Sequence, residues 1–289
     1  MAAHGARFHV AEAGSGPLVL LLHSFPQFWW AWRHQLVDLA AAGYRTVAMD
    51  LRGYGASDKP PRGYDTPTSA ADVAAVIRAL GARDAVVVGH GISGRTVWAL
   101  AGSAADRLRG AVVVGAAHPL TTARILKDRL LRRSPGLVGA PGATVLRQLP
   151  LLPERSLVSG DGVADVLRGA GGPGYPSAEE LERYTEAVRV PFVAHSALEY
   201  HRWIARAALR SDGRRFAASL RAGTSVPVLQ LHGSLDPTVS AAAVAAGERF
   251  AHGPYRQVEF PGRGHFLPEE EPVGVSAVLR EWLEGVRRD

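Results

Sequence analysis

At 289 residues, with 47% apolar and 21% charged residues, the chain is long enough for one large α/β domain carrying an insertion. Its formal charge of +6 does not mark a nucleic-acid protein, because Lys59 and Lys127 are the only lysines and the arginines are scattered among Ala and Gly. Cysteine is absent, which excludes disulfides and thiol chemistry. Met1 to Val10 has no leader-like apolar core and no apolar run approaches the ~18 residues of a membrane span, so a soluble, cytoplasmic protein is expected.

Arg7 to Ala13 predicts an early strand, closed by the turn Gly14-Ser15-Gly16-Pro17. Leu18 to Leu22 is a continuous apolar run, the signature of a strand buried on both faces. A helix from Trp29 to Ala41 follows, then a strand over Arg45 to Met49. Next comes a loop held open by Pro60, Pro61 and Pro67, and a helix capped by Thr68 and ending near Leu80. Ala85 to Val88, Ala111 to Val114, Val226 to Leu231 and Arg256 to Phe260 read as further strands. Helices are expected over Ser93 to Ala101, about Val239 to Phe250, and Val273 to Val286. Strands alternating with helices predict a mostly parallel central sheet with helices on both faces.

After Pro119 the rhythm changes. Residues 120–224 hold no buried strand, and helical stretches alternate with breaks such as Ser134-Pro135-Gly136 and Gly171-Gly172-Pro173-Gly174. The dense basic stretch Arg124 to Arg133, interleaved with Leu and Ile, reads as a solvated helix face. The expected organisation is a core of residues 1–119 and 225–289 with a helical cap over 120–224.

Three places carry chemistry. Val86-Val87-Val88-Gly89-His90-Gly91-Ile92-Ser93-Gly94-Arg95 is a strand, a glycine-rich turn and a helix. That is the context of a nucleophile elbow, where the turn residue takes a strained positive φ and lifts its side chain from the sheet. The residue at that nucleophile position is Gly91, which has no side chain. Asp236, in Leu231-His232-Gly233-Ser234-Leu235-Asp236-Pro237, follows a late buried strand. His265, in Gly262-Arg263-Gly264-His265-Phe266, follows the last strand. Ligands of open α/β sheets bind beyond the carboxyl ends of strands, so Asp236 and His265 are expected to meet near the turn as a catalytic dyad. The plainer alternatives are a turn-capping Asp and an ordinary loop His.

These motifs, together with His23-Ser24-Phe25-Pro26 and Asp50-Leu51-Arg52-Gly53-Tyr54-Gly55-Ala56-Ser57-Asp58, resemble the α/β-hydrolase superfamily in its branch of epoxide hydrolases and haloalkane dehalogenases. The resemblance runs over nearly the whole chain. It implies an α/β-hydrolase fold, backbone N–H groups of Phe25 and Ile92 as an oxyanion hole, Asp236 as acid, His265 as base, and the cap as a lid. The departures are as informative. Members of the branch have Asp, or Ser in esterases, where Gly91 stands, and Gly where Ser24 stands; dehalogenases have a halide-binding Trp at the place of Ile92. The cap tyrosines that polarise an oxirane oxygen lack a match: the segment Ala197-Leu198-Glu199-Tyr200-His201-Arg202 puts His201 at one such position, with Tyr200 one residue before. These changes argue against dehalogenase activity and against ordinary two-step covalent hydrolysis.

Further residues are candidates for supporting roles. Ser93 is expected to pack between strand and helix rather than attack, and His90 to be scaffold. Ser24, Trp29, His118, Tyr200 and His201 are candidate substrate contacts, although a ring under the cap and a structural His are the commoner outcomes for Trp29 and His118. No metal-ligand spacing or phosphate-binding glycine loop occurs, so no cofactor and no metal are expected. The reading is an epoxide-hydrolase-like enzyme acting on a small apolar substrate, with neither nucleic acid nor membrane as partner and a homodimer among the assemblies open to it. The alternatives are a lyase, isomerase or cyclase using the dyad for proton transfer, a ligand-binding pseudoenzyme, and an inactivated variant of a covalent epoxide hydrolase.

Overall fold

The computed structural model describes residues 1–121 and 147–288. The basic stretch Arg124 to Arg133 lies outside them. The central sheet has seven strands, β3 (Val10–Ala13), β4 (Leu18–Leu22), β5 (Arg45–Met49), β6 (Ala85–His90), β7 (Leu108–Val114), β8 (Val228–Gly233) and β9 (Tyr255–Phe260), in the order β3-β5-β4-β6-β7-β8-β9. Only β3 runs antiparallel to its neighbour; all later pairings are parallel. The early strand expected over Arg7 to Ala13 is interrupted: β1 (Ala2–Ala3) and β2 (Ala6–Arg7) pair as a separate small ribbon, and β3 begins only at Val10.

The side chains of the buried strands divide by parity, as a pleated strand requires. Leu18, Leu20, Leu22, Val87 and Val113 pack with Val73, Val76 and Ile77 of α2 (Thr66–Ala79) and Val97 and Leu100 of α3 (Ile92–Ser103). Val19, Leu21, Val86, Val88, Val112 and Val114 face the other way. They meet Leu36 and Leu39 of α1 (Arg33–Ala41) and Val275, Leu279 and Leu283 of α11 (Pro272–Arg288). The continuous apolar runs are therefore two interleaved faces, each covered by its own helix pair. This is the α/β-hydrolase architecture.

Local differences from the sequence reading have simple causes. Trp29–Trp32 is a 3₁₀ turn that enters α1 rather than its first α-helical turn. The cap of α2 is Asp65, whose carboxylate accepts the N–H of Thr68 at 2.8 Å, with Pro67 seated inside the first turn, where its missing N–H costs nothing. The helix expected near Val239 to Phe250 is only the short α9 (Ala241–Ala245) followed by a 3₁₀ turn.

The described part of the insertion contains α4 (Leu152–Ser159), α5 (Gly162–Ala170), α6 (Ala178–Arg189) and α7 (Val193–Arg206), which pack on one another. The next helix, α8 (Ser211–Ser219), packs on α3, in the layer that covers the sheet. No helix among the described residues is long and apolar enough to cross a membrane.

Candidate active site

The turn after β6 is sharp. Gly91 has φ 55° and ψ −115° and is the N-cap of α3. Its N–H donates to Val114 O at 2.8 Å, which ties the turn to β7. Gly89 allows strand and helix to approach, since a Cβ there would lie 2.5 Å from Ser93 O. Ser93 donates its hydroxyl to His23 O at 2.6 Å, in the buried packing role expected of it.

Asp236 and His265 meet. His265 Nδ1 lies 2.8 Å from Asp236 Oδ2, while Thr238 donates through N and Oγ1 to Asp236 Oδ1, both at 2.7 Å. Thr238 Oγ1 also lies 2.9 Å from His265 Nδ1. Nδ1–H is thereby committed to the carboxylate and the threonine oxygen, which leaves the Nε2 lone pair free on the opposite side of the ring. Burial opposes a charge on His265, but Asp236 and, more weakly, Glu270 outweigh it and hold its pKa above the ordinary 6.5. Burial likewise pushes Asp236 up, and the imidazole with the Thr238 bonds outweighs it, leaving its pKa below the usual value.

The loop that presents His265 is fastened from three sides. Glu270 accepts the backbone N–H groups of Gly264 at 2.6 Å, Phe266 at 2.8 Å and Gly172 at 3.0 Å. His265 N donates to Ala170 O of α5 at 2.8 Å, so the helical insertion grips the His265 loop directly. His90, expected as scaffold, is that: its Nε2 lies 2.8 Å from His265 O and its Nδ1 3.1 Å from Gln27 Oε1. Glu270 and Thr238 belong to no motif of the sequence, and the contacts that give them a role, Thr238 to His265 and Glu270 to Gly172, form only on folding.

His265 Nε2 faces the space above Gly91. A Cβ built on Gly91 would lie 2.9 Å from His265 Nε2 and 2.1 Å from Ser24 Oγ. The Ser24 hydroxyl thus occupies the ground on which a residue 91 side chain would begin. A cavity of about 520 Å³ opens beyond, lined among the described residues by Ser24, Phe25, Gly91, Ile92, His201 and His265, and by Arg95 and Arg147. Much of its wall is apolar, with Val166, Ile204, Val239 and Phe266 contributing. The N–H groups of Phe25 and Ile92 donate to no backbone group among the described residues, as a pair of free oxyanion donors would.

Three expected substrate contacts are not brought to this cavity. Tyr200 is buried against Tyr54 and Tyr64 and donates its hydroxyl to Arg52 O at 3.1 Å, so the helical register points it into the core. His118 stacks on Phe250 with ring centroids 3.8 Å apart and meets the edge of Trp98; burial, with Arg95 and Arg249, pushes its pKa down to about 3. Trp29 gives its backbone N–H to Asp50 Oδ1 at 2.8 Å and packs against His9 and Phe28.

His201 does line the cavity, in an unexpected state. Its Nδ1 lies 3.1 Å from Ala197 O, one helical turn back, so Nδ1 carries the proton and Nε2 can only accept. Burial, with Arg147 adding to it, pushes its pKa down to about 4. At neutral pH it cannot donate to an oxirane oxygen as a cap tyrosine at this place would.

The alpha/beta hydrolase fold family matches residues 17–272 of this chain. Epoxide hydrolase A of Mycobacterium tuberculosis is 33% identical over an alignment covering 98% of this chain and 96% of that protein. Epoxide hydrolase 3 of Xenopus tropicalis is 32% identical over 97% of this chain and 75% of its own length. Among solved structures, an epoxide hydrolase from an endophytic Streptomyces superposes with a TM-score of 0.85 at 28% identity, covering 100% of this chain and 95% of that one.

Proposed function

Because this chain belongs to the alpha/beta hydrolase fold family and has epoxide hydrolases as homologues, we propose that it hydrolyses a small epoxide by direct attack of water, without a covalent intermediate. Gly91 stands at the nucleophile position, and the single observation carrying this reading is the geometry around its absent side chain. His265 Nε2 and Ser24 Oγ border one small space, 2.9 Å and 2.1 Å from where a Cβ would lie. A water that hydrogen-bonds to the Ser24 hydroxyl on its cavity side meets an imidazole whose other nitrogen is committed to Asp236.

In this mechanism His265 Nε2 takes one proton of the water as its oxygen bonds to a ring carbon and the ring C–O bond breaks. The alkoxide so formed is met by the N–H groups of Phe25 and Ile92. The guanidinium of Arg147, which lies 5.6 Å from the Phe25 ring, is the cap-side cation lining the cavity and takes the polarising place that neither Tyr200 nor neutral His201 can fill. The proton on His265 returns to the alkoxide through solvent, giving a vicinal diol and the starting enzyme.

The test is a single turnover in ¹⁸O-labelled water with a panel of aryl and alkyl epoxides. Direct attack places the label in the diol during the first turnover, and His265→Ala lowers the rate by roughly 10²–10⁴. An unlabelled first product would require an enzyme oxygen as nucleophile. Attack by Ser24 Oγ would instead give a serine ether, which has no carbonyl for water to attack and does not turn over, so a stable adduct on Ser24 without diol would also sink the water mechanism. Turnover unaffected by His265→Ala would sink it as well.

A further inference from the structure

We propose that the substrate carries a carboxylate and that Arg95 is the residue that binds it. The inference rests on the enzymatic reading above and adds the chemical class of its ligand. Arg95 lies four residues after Gly91, one helical turn along α3, and its side chain lines the cavity. Its Nε is shut off from solvent and has no hydrogen-bond partner. None of the ion pairs between described residues involves its guanidinium. Asp165, the carboxylate among the described lining residues, is exposed on α5 and does not pair with it. Burial pulls its pKa down to about 10, with no acidic neighbour pulling the other way.

A guanidinium partly withdrawn from water is normally paired, because hydration lost without compensation is costly. The fold keeps this one unpaired inside a cavity, beside the positive end of α3. A planar fork of N–H donors fits a carboxylate through two parallel bonds. The chemistry of the remaining wall selects a monoanion with an apolar body. Val166, Ile204, Val239 and Phe266 cover carbon, the Thr238 hydroxyl is engaged by Asp236, and Arg147, the other cavity cation, is assigned to the alkoxide, so a single guanidinium is left for the acidic end. The expected apolar substrate therefore becomes amphipathic: a hydrocarbon body with one acidic end held at Arg95.

The test measures binding without turnover. Isothermal titration compares a series of arylalkyl carboxylates of increasing length with their primary amides, on the wild-type protein and on Arg95→Met and Arg95→Lys, with thermal melting to establish that each variant is folded. Carboxylates are expected to bind about 10–100-fold more tightly than matched amides, a preference lost in Arg95→Met and partly kept in Arg95→Lys. Equal binding of acid and amide, no binding of any member, or a preference that survives in Arg95→Met would overturn the assignment. Inorganic phosphate displacing the tightest carboxylate at lower concentration would overturn the choice of carboxylate. A protein that binds carboxylates yet hydrolyses no epoxide sinks only the hydrolytic reading; His265-dependent turnover with no acid preference sinks only this one.

Discussion

Two arginines of this molecule are buried to opposite ends. Arg33, at the start of α1, donates to Glu180 at 2.8 Å and to Glu269, and lies 3.6 Å from the centroid of the Trp30 ring. Glu269 is completed by Gln27 at 2.6 Å, Tyr184 at 2.7 Å and Tyr175 at 2.8 Å. This cluster joins α1, the cap helix α6 and the short α10 (Leu267–Glu270) that follows the His265 loop. Burial opposes the charge on Arg33, but its two carboxylates outweigh that and raise its pKa. Arg95 bears a similar desolvation with nothing to offset it. Where the charge serves the structure, as at Arg33, two carboxylates and the Trp30 carbonyl meet it. Where the charge faces the cavity it is left open.

The largest effect expected from this contrast is on the closed cluster. Glu269→Leu leaves the Arg33 guanidinium with Glu180 alone and takes the acceptor from two tyrosine hydroxyls, and should destabilise the protein by about 3 kcal/mol, read as a lower urea midpoint. A loss under ~1 kcal/mol would mean the cluster is not the clamp between cap and core that its geometry indicates.

The same carboxyl gives a pH dependence. Burial pushes Glu269 up to about 7, against the opposing pull of Arg33 and Tyr184. An acid whose folded-state pKa exceeds its unfolded value binds its proton more readily when folded, so its contribution to stability is present at low pH and is lost as pH rises between the two values. His265, raised above 6.5, acts in the same sense, its contribution fading as pH passes its folded value. Asp236, lowered, acts in the opposite sense only below the ordinary carboxylate range, under this window. Between pH 5 and 8 Glu269 should therefore remove roughly 2–3 kcal/mol of stability, while His118 and His201, lowered to about 3 and about 4, add stability as pH rises towards the ordinary 6.5. The Glu269 share is read as the difference between wild type and Glu269→Gln in urea titrations, which should shift by that amount across this range.

The space over Gly91 supplies a smaller effect. Gly91→Asp alone sets a Cβ against the Ser24 hydroxyl and a side chain on a φ of +55°, and should cost about 1–3 kcal/mol without giving a covalent hydrolase. Combined with Ser24→Gly it should recover part of that loss and allow an ester to form on residue 91 during turnover, detectable by mass spectrometry. If Gly91→Asp alone forms that ester as readily as the pair, Ser24 is not the obstacle the geometry makes it.

What the sequence made legible follows the reach of each signal. The strands were readable because Leu18 to Leu22 and Ala85 to Val88 are continuous apolar runs, and the turn at Gly91 because strand, glycine and helix adjoin in the chain. Asp236 and His265 were found because each follows its own strand at the sheet edge where the topology gathers them. Tyr200 and His201 show the limit: one residue of helical register, about 100°, separates the side chain on the cavity from the one in the core. The Glu269 cluster was illegible, since Gln27 and Glu269 lie 242 positions apart and neither carries a local pattern. Arg95 stood in plain view as the end of the elbow motif. Only the absence of a partner around it gave it meaning, and that is a property of the fold.

The smallest effect bears most directly on the contrast, because its sign is what matters. Replacing Arg33 with Met should destabilise, since it leaves Glu180 and Glu269 without their cation. Replacing Arg95 with Met removes a buried charge that has no partner, with a side chain of similar length in its place. The free protein should then gain about 1 kcal/mol, or at least lose nothing, in a urea titration carried out without ligand. A site kept ready for an anion is a site of latent strain, and removing the cation releases it. Should Arg95→Met lose as much stability as Arg33→Met, Arg95 is a structural residue like Arg33 and the distinction between closed and open buried charge fails in this protein.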